Sequence, residues 1–157
     1  MSPTMLKIQN NKFAVFLFVF IIASFAQLSL KAAFGWSPEL ILATLALSAF
    51  YLSVLEMAAL CAFGILILNW RPLPGWEILL FFLLPFMVMS VKNIFPWRGM
   101  INGALGAVLS VAVFYALSDW GAIISSPAVF AEILAMTAIF SAALFQILNY
   151  FYKTHTV

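Results

Sequence analysis

The stretch Tyr51–Leu60, YLSVLEMAAL, sets one carboxylate, Glu56, inside an apolar run that continues for many residues on both sides. Either an ionisable group lies within a bilayer, where it is costly and marks function by default, or the chain turns there and the group reaches water. The two readings give different numbers of membrane crossings, so the fold turns on this stretch.

Composition defines the class. Hydrophobic residues make up 66% and charged residues 8% of the 157, and such a chain cannot cover a water-facing surface with polar groups. The sequence predicts an integral membrane protein, a single all-α transmembrane domain over residues 1–157 with no linker, low-complexity tract or repeat. Its formal charge of +2 comes from scattered Lys and Arg near helix ends, which implies no nucleic-acid partner. The lone Cys61 excludes an internal disulfide and reads as a small packing residue.

Breaks in hydropathy give the helices. Lys7 and Lys12 precede an apolar segment over 13–30, which is longer than the hydrophobic part of a cleavable signal and reads as a retained span. KAAFGWSP ends it, with Ser37 as the expected N-cap of the next helix and Pro38 at its first position. One helix from Pro38 to Trp70 would be about 50 Å long against a hydrocarbon core of about 30 Å. Two helices, over 38–52 and 55–70, are short but tolerable, with a turn near Tyr51–Glu56. Beyond the NWRPLPGW loop, helices are expected over 77–94, with a kink at Pro85, over 99–117, and over 127–152, with Ser126 as N-cap. Trp36, Trp70, Trp76, Trp97 and Trp120 all fall at these proposed ends, as an aromatic belt requires.

Charge decides between the readings of Glu56. Six helices with the N-terminus inside put Lys7, Lys12, Lys92, Arg98 and Lys153 in the cytoplasm and Lys31 and Arg71 outside, which obeys the positive-inside rule. Five helices put Lys7, Lys12 and Arg71 inside against Lys31, Lys92, Arg98 and Lys153 outside, which does not. Six helices are therefore expected, with both termini cytoplasmic and Glu56 hydrated at a tight turn. A buried Glu56 carboxylate is the alternative.

Catalytic chemistry finds few residues to use. A Cys–His pair would need His155, near the C-terminus, to reach Cys61 within a helix, and no His, Cys, Asp or Glu cluster has metal-ligand spacing. Asp119 and Glu132 flank one loop, where two acids beside a membrane are ordinarily just hydrated. No enzyme activity, cofactor or metal is expected. The fifth helix instead carries packing information in RGMINGALGAVLS: Gly99, Gly103 and Ala107 lie four apart, Gly106 and Ser110 form an adjacent stripe, and Asn102 is placed to bond a neighbouring helix. This surface serves either packing inside the protein or a partner interface. Ala58, Ala59 and Ala62 suggest a second tightly packed face on the third helix.

The layout resembles the rod shape-determining MreD family. The features are a basic N-terminus, a first helix with Gln27 near its end (FAQLSL), a proline-led second helix (GWSPELILATLAL) and a third ending GILILNW. Pro38 and Glu39 fit the family's Pro-acidic start, and Gly64 its later glycine. Asn69 stands where the family has Asp, and WRPLPGWE replaces a glycine-rich continuation. The resemblance implies a non-enzymatic scaffold of the bacterial inner membrane that works with an MreC-like partner in peptidoglycan elongation. The layout is also similar to the six-helix S components of energy-coupling-factor vitamin transporters, so a small-molecule ligand is the alternative. Its pocket groups would come from Asn93, Asn102, Tyr115, Asp119 and Asn149.

Overall fold

The segment expected as a helix over 38–52 proves to be the hub of the molecule, and it is shorter than its sequence implies. A computed structural model describes residues 3–35, 37–68, 76–91 and 99–154. Among them the chain forms seven helices: α1 (Pro3–Phe34), α2 (Leu40–Ser48), α3 (Val54–Leu68), α4 (Trp76–Val91), α5 (Gly99–Ser118), α6 (Trp120–Ser125) and α7 (Pro127–Thr154). All nine residues of α2 are buried, and it packs on α1, α3, α4, α5 and α7.

Both ends of α2 correct the sequence reading. Ser37 and Pro38 are buried in the connection before it, and Glu39, not Ser37, is the N-cap. At the other end Phe50 N–H donates to Leu47 O and Tyr51 N–H to Ser48 O, at 3.1 and 3.0 Å. These three-residue bonds tighten the last turn and stop the helix. Nine residues rise about 13 Å, too little to cross a hydrocarbon core of about 30 Å.

Among the described residues three helices are long and apolar enough to cross a membrane: Lys12–Phe34, Met100–Ser118 and Pro127–Tyr150. The apolar stretches Val54–Ile67 and Glu77–Val91 are shorter. The expected helix over 13–30 extends at both ends; at its C-terminal end Gly35, with φ of 77°, supplies the left-handed residue that closes α1 as its N–H bonds Lys31 O at 3.0 Å. α6 lies between the helices expected over 99–117 and 127–152, where no helix was expected. Ser126 does lie immediately before α7, with Phe130 N–H bonding its carbonyl at 3.1 Å. Trp76 and Trp120 open α4 and α6, whereas Trp36, Trp70 and Trp97 lie outside the described residues.

Ring contacts fix which ends lie together. Tyr51 sits 5.4 Å from Phe16 and 5.7 Å from Phe145, so the α2–α3 turn lies beside the first half of α1 and the second half of α7. At the opposite end Tyr115 of α5 meets Phe130 of α7 at 5.7 Å. The beginning of α1 and the end of α7 therefore share one end of the bundle. α1 turns Phe16, Phe20, Ala23, Ser24 and Gln27 inward and Phe18, Ile22 and Phe25 outward. A helix apolar on both faces suits a bundle bathed in hydrocarbon.

Small residues let the hub helix be approached closely. Ala43 and Ala46 of α2 meet Ala107 of α5 in a fully buried contact. A Cβ on Gly103 would lie 2.9 Å from Phe145 Cδ2 and 3.0 Å from Leu47 Cδ2, and one on Gly64 would lie 2.9 Å from Phe20 Cζ. The third helix buries Met57, Leu60, Cys61 and Gly64; of the three alanines expected to pack, Ala58 is half-buried while Ala59 and Ala62 are exposed. Gly103→Leu is expected to lower the thermal midpoint of the detergent-solubilised protein, because overpacking costs about 1–3 kcal/mol. An unchanged melting curve would mean that Gly103 does not face α2 and α7.

Candidate functional site

Helix α2 begins inside the bundle, where its first N–H groups have no water to bond. An N-cap side chain ordinarily accepts one of them, yet Glu39 makes no such bond. Gln27 of α1 takes its place: its Oε1 accepts the Ile41 N–H at 2.9 Å. That bond also orients the amide, since a backbone N–H only donates, and the Gln27 Nε2 is turned to donate to Glu39 Oε2 at 2.8 Å. The other carboxylate oxygen, Oε1, lies 3.0 Å from the Tyr115 hydroxyl of α5. One carboxylate thus joins three helices through residues 12 and 76 positions away in the chain.

Burial pushes the Glu39 carboxyl above the ordinary carboxylate range, and the hydrogen bonds from Gln27 and Tyr115, with the Lys31 charge, pull the other way. Glu39 lies in the connection between α1 and α2, outside the spanning helices. The cluster is therefore a polar clasp at one end of the bundle, holding α1, α5 and the start of α2 together. The Pro38–Glu39 pair entered the sequence reading only through a family pattern. Glu39 beside a helix start and Gln27 in a spanning helix are each visible in the sequence, but nothing there joins them to each other or to Tyr115.

Glu56 lies at the opposite end of α2. Its Oε2 accepts from the Ser53 N–H at 2.8 Å and from the Ser53 hydroxyl at 2.7 Å, while the Ser53 Oγ lies 3.5 Å from the Glu56 N–H. This is the reciprocal arrangement of a capping box, Ser-x-x-Glu, at the start of α3. The chain turns at Ala49–Ser53, and Glu56 is partly exposed there. The carboxylate that interrupts the apolar run is a helix-start signal.

The glycine-rich face of α5 divides in two. Gly103 and Ala107 are buried against α7 and α2. Asn102, Gly106 and Ser110 line a cleft of about 380 Å³ between α4 and α5, together with Leu84, Val88, Leu105, Leu109 and Phe50 at the α2–α3 turn. Gly99 opens α5. Other sequence candidates do not converge: Asn149 and Asp119 are exposed, Tyr115 is engaged by Glu39, and Asn93 lies outside the described residues, as do Asn69 and His155. Among the described residues no three His, Cys, Asp or Glu side chains come together as a metal site.

The chain matches no protein-family model, no curated protein and no solved structure.

Removing the Gln27 amide isolates both a buried N–H and a carboxylate oxygen. Gln27→Leu is expected to destabilise the protein by about 1–3 kcal/mol, read as a lower thermal midpoint. At the other end, Glu56→Gln should change the midpoint little, because Gln also completes a capping box, whereas Ser53→Ala should cost about 1 kcal/mol. Equal losses in the two variants would contradict the capping role.

Proposed function

We propose that this chain is a non-enzymatic scaffold of the bacterial inner membrane, acting with the cell-shape and peptidoglycan-elongation machinery through helix–helix association. The observation that supports it best is the filled centre of the bundle: α2, buried over its whole length, occupies the interior that a carrier would leave open for a ligand. The likeness in layout to MreD supplies the biological setting, an MreC-like single-span protein being the partner. Both termini are assigned to the cytoplasm, in keeping with the positive-inside distribution of Lys and Arg and with the shared end of α1 and α7.

With Gly103 and Ala107 used internally, the surface left for association on α5 is the side that lines the α4–α5 cleft. Gly106 there presents no side chain to hold a partner helix away. A second reading, the S component of a vitamin transporter, draws on the same cleft, whose volume falls in the range of small-molecule pockets. Its walls are almost wholly apolar, so that reading requires a hydrophobic ligand.

Leu109 lines the cleft and is exposed, which makes it the residue to change. Leu109→Trp is expected to stay folded and inserted but to lose co-purification with the elongation partner, and cells relying on it should lose rod shape. Undiminished co-purification would remove the cleft as the partner surface. A vitamin retained through purification of the unmodified protein would overturn the scaffold reading. Reporter fusions at both termini should read cytoplasm, and a C-terminus outside would contradict the assigned topology.

A further inference from the structure

The cleft between α4 and α5 has a floor and a rim. Its floor is formed by Leu84 and Val88 of α4, Gly106 and Ser110 of α5 and Phe50 of the α2–α3 turn, all buried or half-buried, whereas Met87 and Leu109 on the rim are exposed. The floor stays open because Gly106 has no side chain: a Cβ there would lie 3.2 Å from Val88 Cγ1 and 3.7 Å from Phe50 Cε2. Along α5 the lining runs from Asn102 to Val113, about 16 Å at 1.5 Å per residue. One leaflet of a hydrocarbon core of about 30 Å is about 15 Å deep, so the cleft has the length of one leaflet. Its polarity is graded in the same direction. Asn102 lies near the start of α5, at the end beside the α2–α3 turn, and the other polar lining side chain, Ser110, donates its hydroxyl to Gly106 O at 2.7 Å.

Charge is divided between the two ends of the bundle. Glu39, Glu77, Asp119 and Glu132 belong to the far end, at the starts of α2, α4 and α7 and the end of α5, together with Lys31 and, in the α3–α4 connection, Arg71. The end beside the α2–α3 turn holds Lys7 and Lys12 at the beginning of α1 and Lys153 at the end of α7. Its acid is Glu56, whose carboxylate is taken up by Ser53. The connection from Val91 to Gly99 joins the two walls of the cleft at this end and contributes Lys92 and Arg98 and no acid.

We propose that the α4–α5 cleft binds one acyl chain of an anionic phospholipid, drawn from the leaflet on the side of the α2–α3 turn, with the lipid phosphate at the basic end. Apolar walls one leaflet deep take the chain, and each Lys or Arg near the surface favours an anionic head group by about fivefold. A helix is about 10–12 Å across with its side chains and rests on such a rim, whereas a single hydrocarbon chain reaches the floor. The site goes beyond the scaffold reading and does not rest on it, since a chain on the floor leaves the exposed rim, Leu109 included, to a partner helix.

Two photolabelling probes with identical chains, each carrying a carbene precursor, test the site on the intact protein in phosphatidylcholine nanodiscs: one is a phosphatidylglycerol, the other a phosphatidylcholine. The phosphatidylglycerol probe should label Leu84, Val88, Gly106 and Ser110 more heavily than the outward Phe18 and Phe25 of α1. At the floor it should exceed the phosphatidylcholine probe by at least about fivefold. Lys92→Gln combined with Arg98→Gln should lower that ratio by at least about fivefold and leave the labelling of α1 unchanged. Should this variant fail to insert, the wild type in about 1 M salt decides, because screening then acts within about 3 Å and the ratio should fall likewise. Floor labelling no heavier than that of α1, equal floor labelling by the two probes, or a ratio that neither the charge variant nor salt lowers would overturn the proposal.

Discussion

A helix of nine residues with every residue buried has a problem at each end, because its first N–H and last C=O groups lie where water does not reach. The fold depends on how these groups are satisfied. At the start of α2 the Gln27 amide, from another helix, accepts the Ile41 N–H at 2.9 Å. At the end, three-residue backbone bonds from Phe50 and Tyr51 close the last turn, and the Ser48 hydroxyl bonds Leu45 O at 2.7 Å. An unmade hydrogen bond costs far more in an apolar interior than in water. The partners of α2 are therefore conditions for burying it rather than additions to its stability.

Once α2 is buried, much of the surrounding sequence acquires a reason. Ala43 and Ala46 are small because α5 crosses them at Ala107. Gly103 is small because Leu47 and Phe145 occupy the space its side chain would need, and Gly64 because the Phe20 ring does. These contacts place the polar clasp at one end of α2 and the Ser53–Glu56 box at the other. The two acids nearest to α2 consequently have different roles: Glu56 starts a helix, and Glu39 ties three helices together.

Several of these features were legible in the sequence. The helical class followed from composition, and the turn before Glu56 followed from helix length and the distribution of Lys and Arg. Ser53-x-x-Glu56 was a readable helix start, although helix length and charge counting, not the capping box, located the turn. Hydropathy failed at α2 because Leu40 to Leu52 is apolar apart from Thr44 and Ser48, and nothing in such a run separates a helix that crosses a bilayer from one that ends inside a protein. The Gln27–Glu39–Tyr115 cluster was out of reach for another reason. It joins positions 76 residues apart, and only the packing of α1, α2 and α5 brings them together. Ala59 and Ala62 of α3 misled because small residues face lipid as readily as they face a neighbour.

α2 is enclosed by the other helices rather than exposed to lipid along one face. Photolabelling of the native protein in bilayers whose acyl chains carry a carbene precursor tests it without mutation, with the labelled positions read by mass spectrometry. Label is expected on the outward residues Phe18, Ile22 and Phe25 of α1 and on Met136 and Ile139 of α7, with none on Leu40–Ser48. Label recurring at every third or fourth position of α2 would show a lipid-facing side and contradict the account.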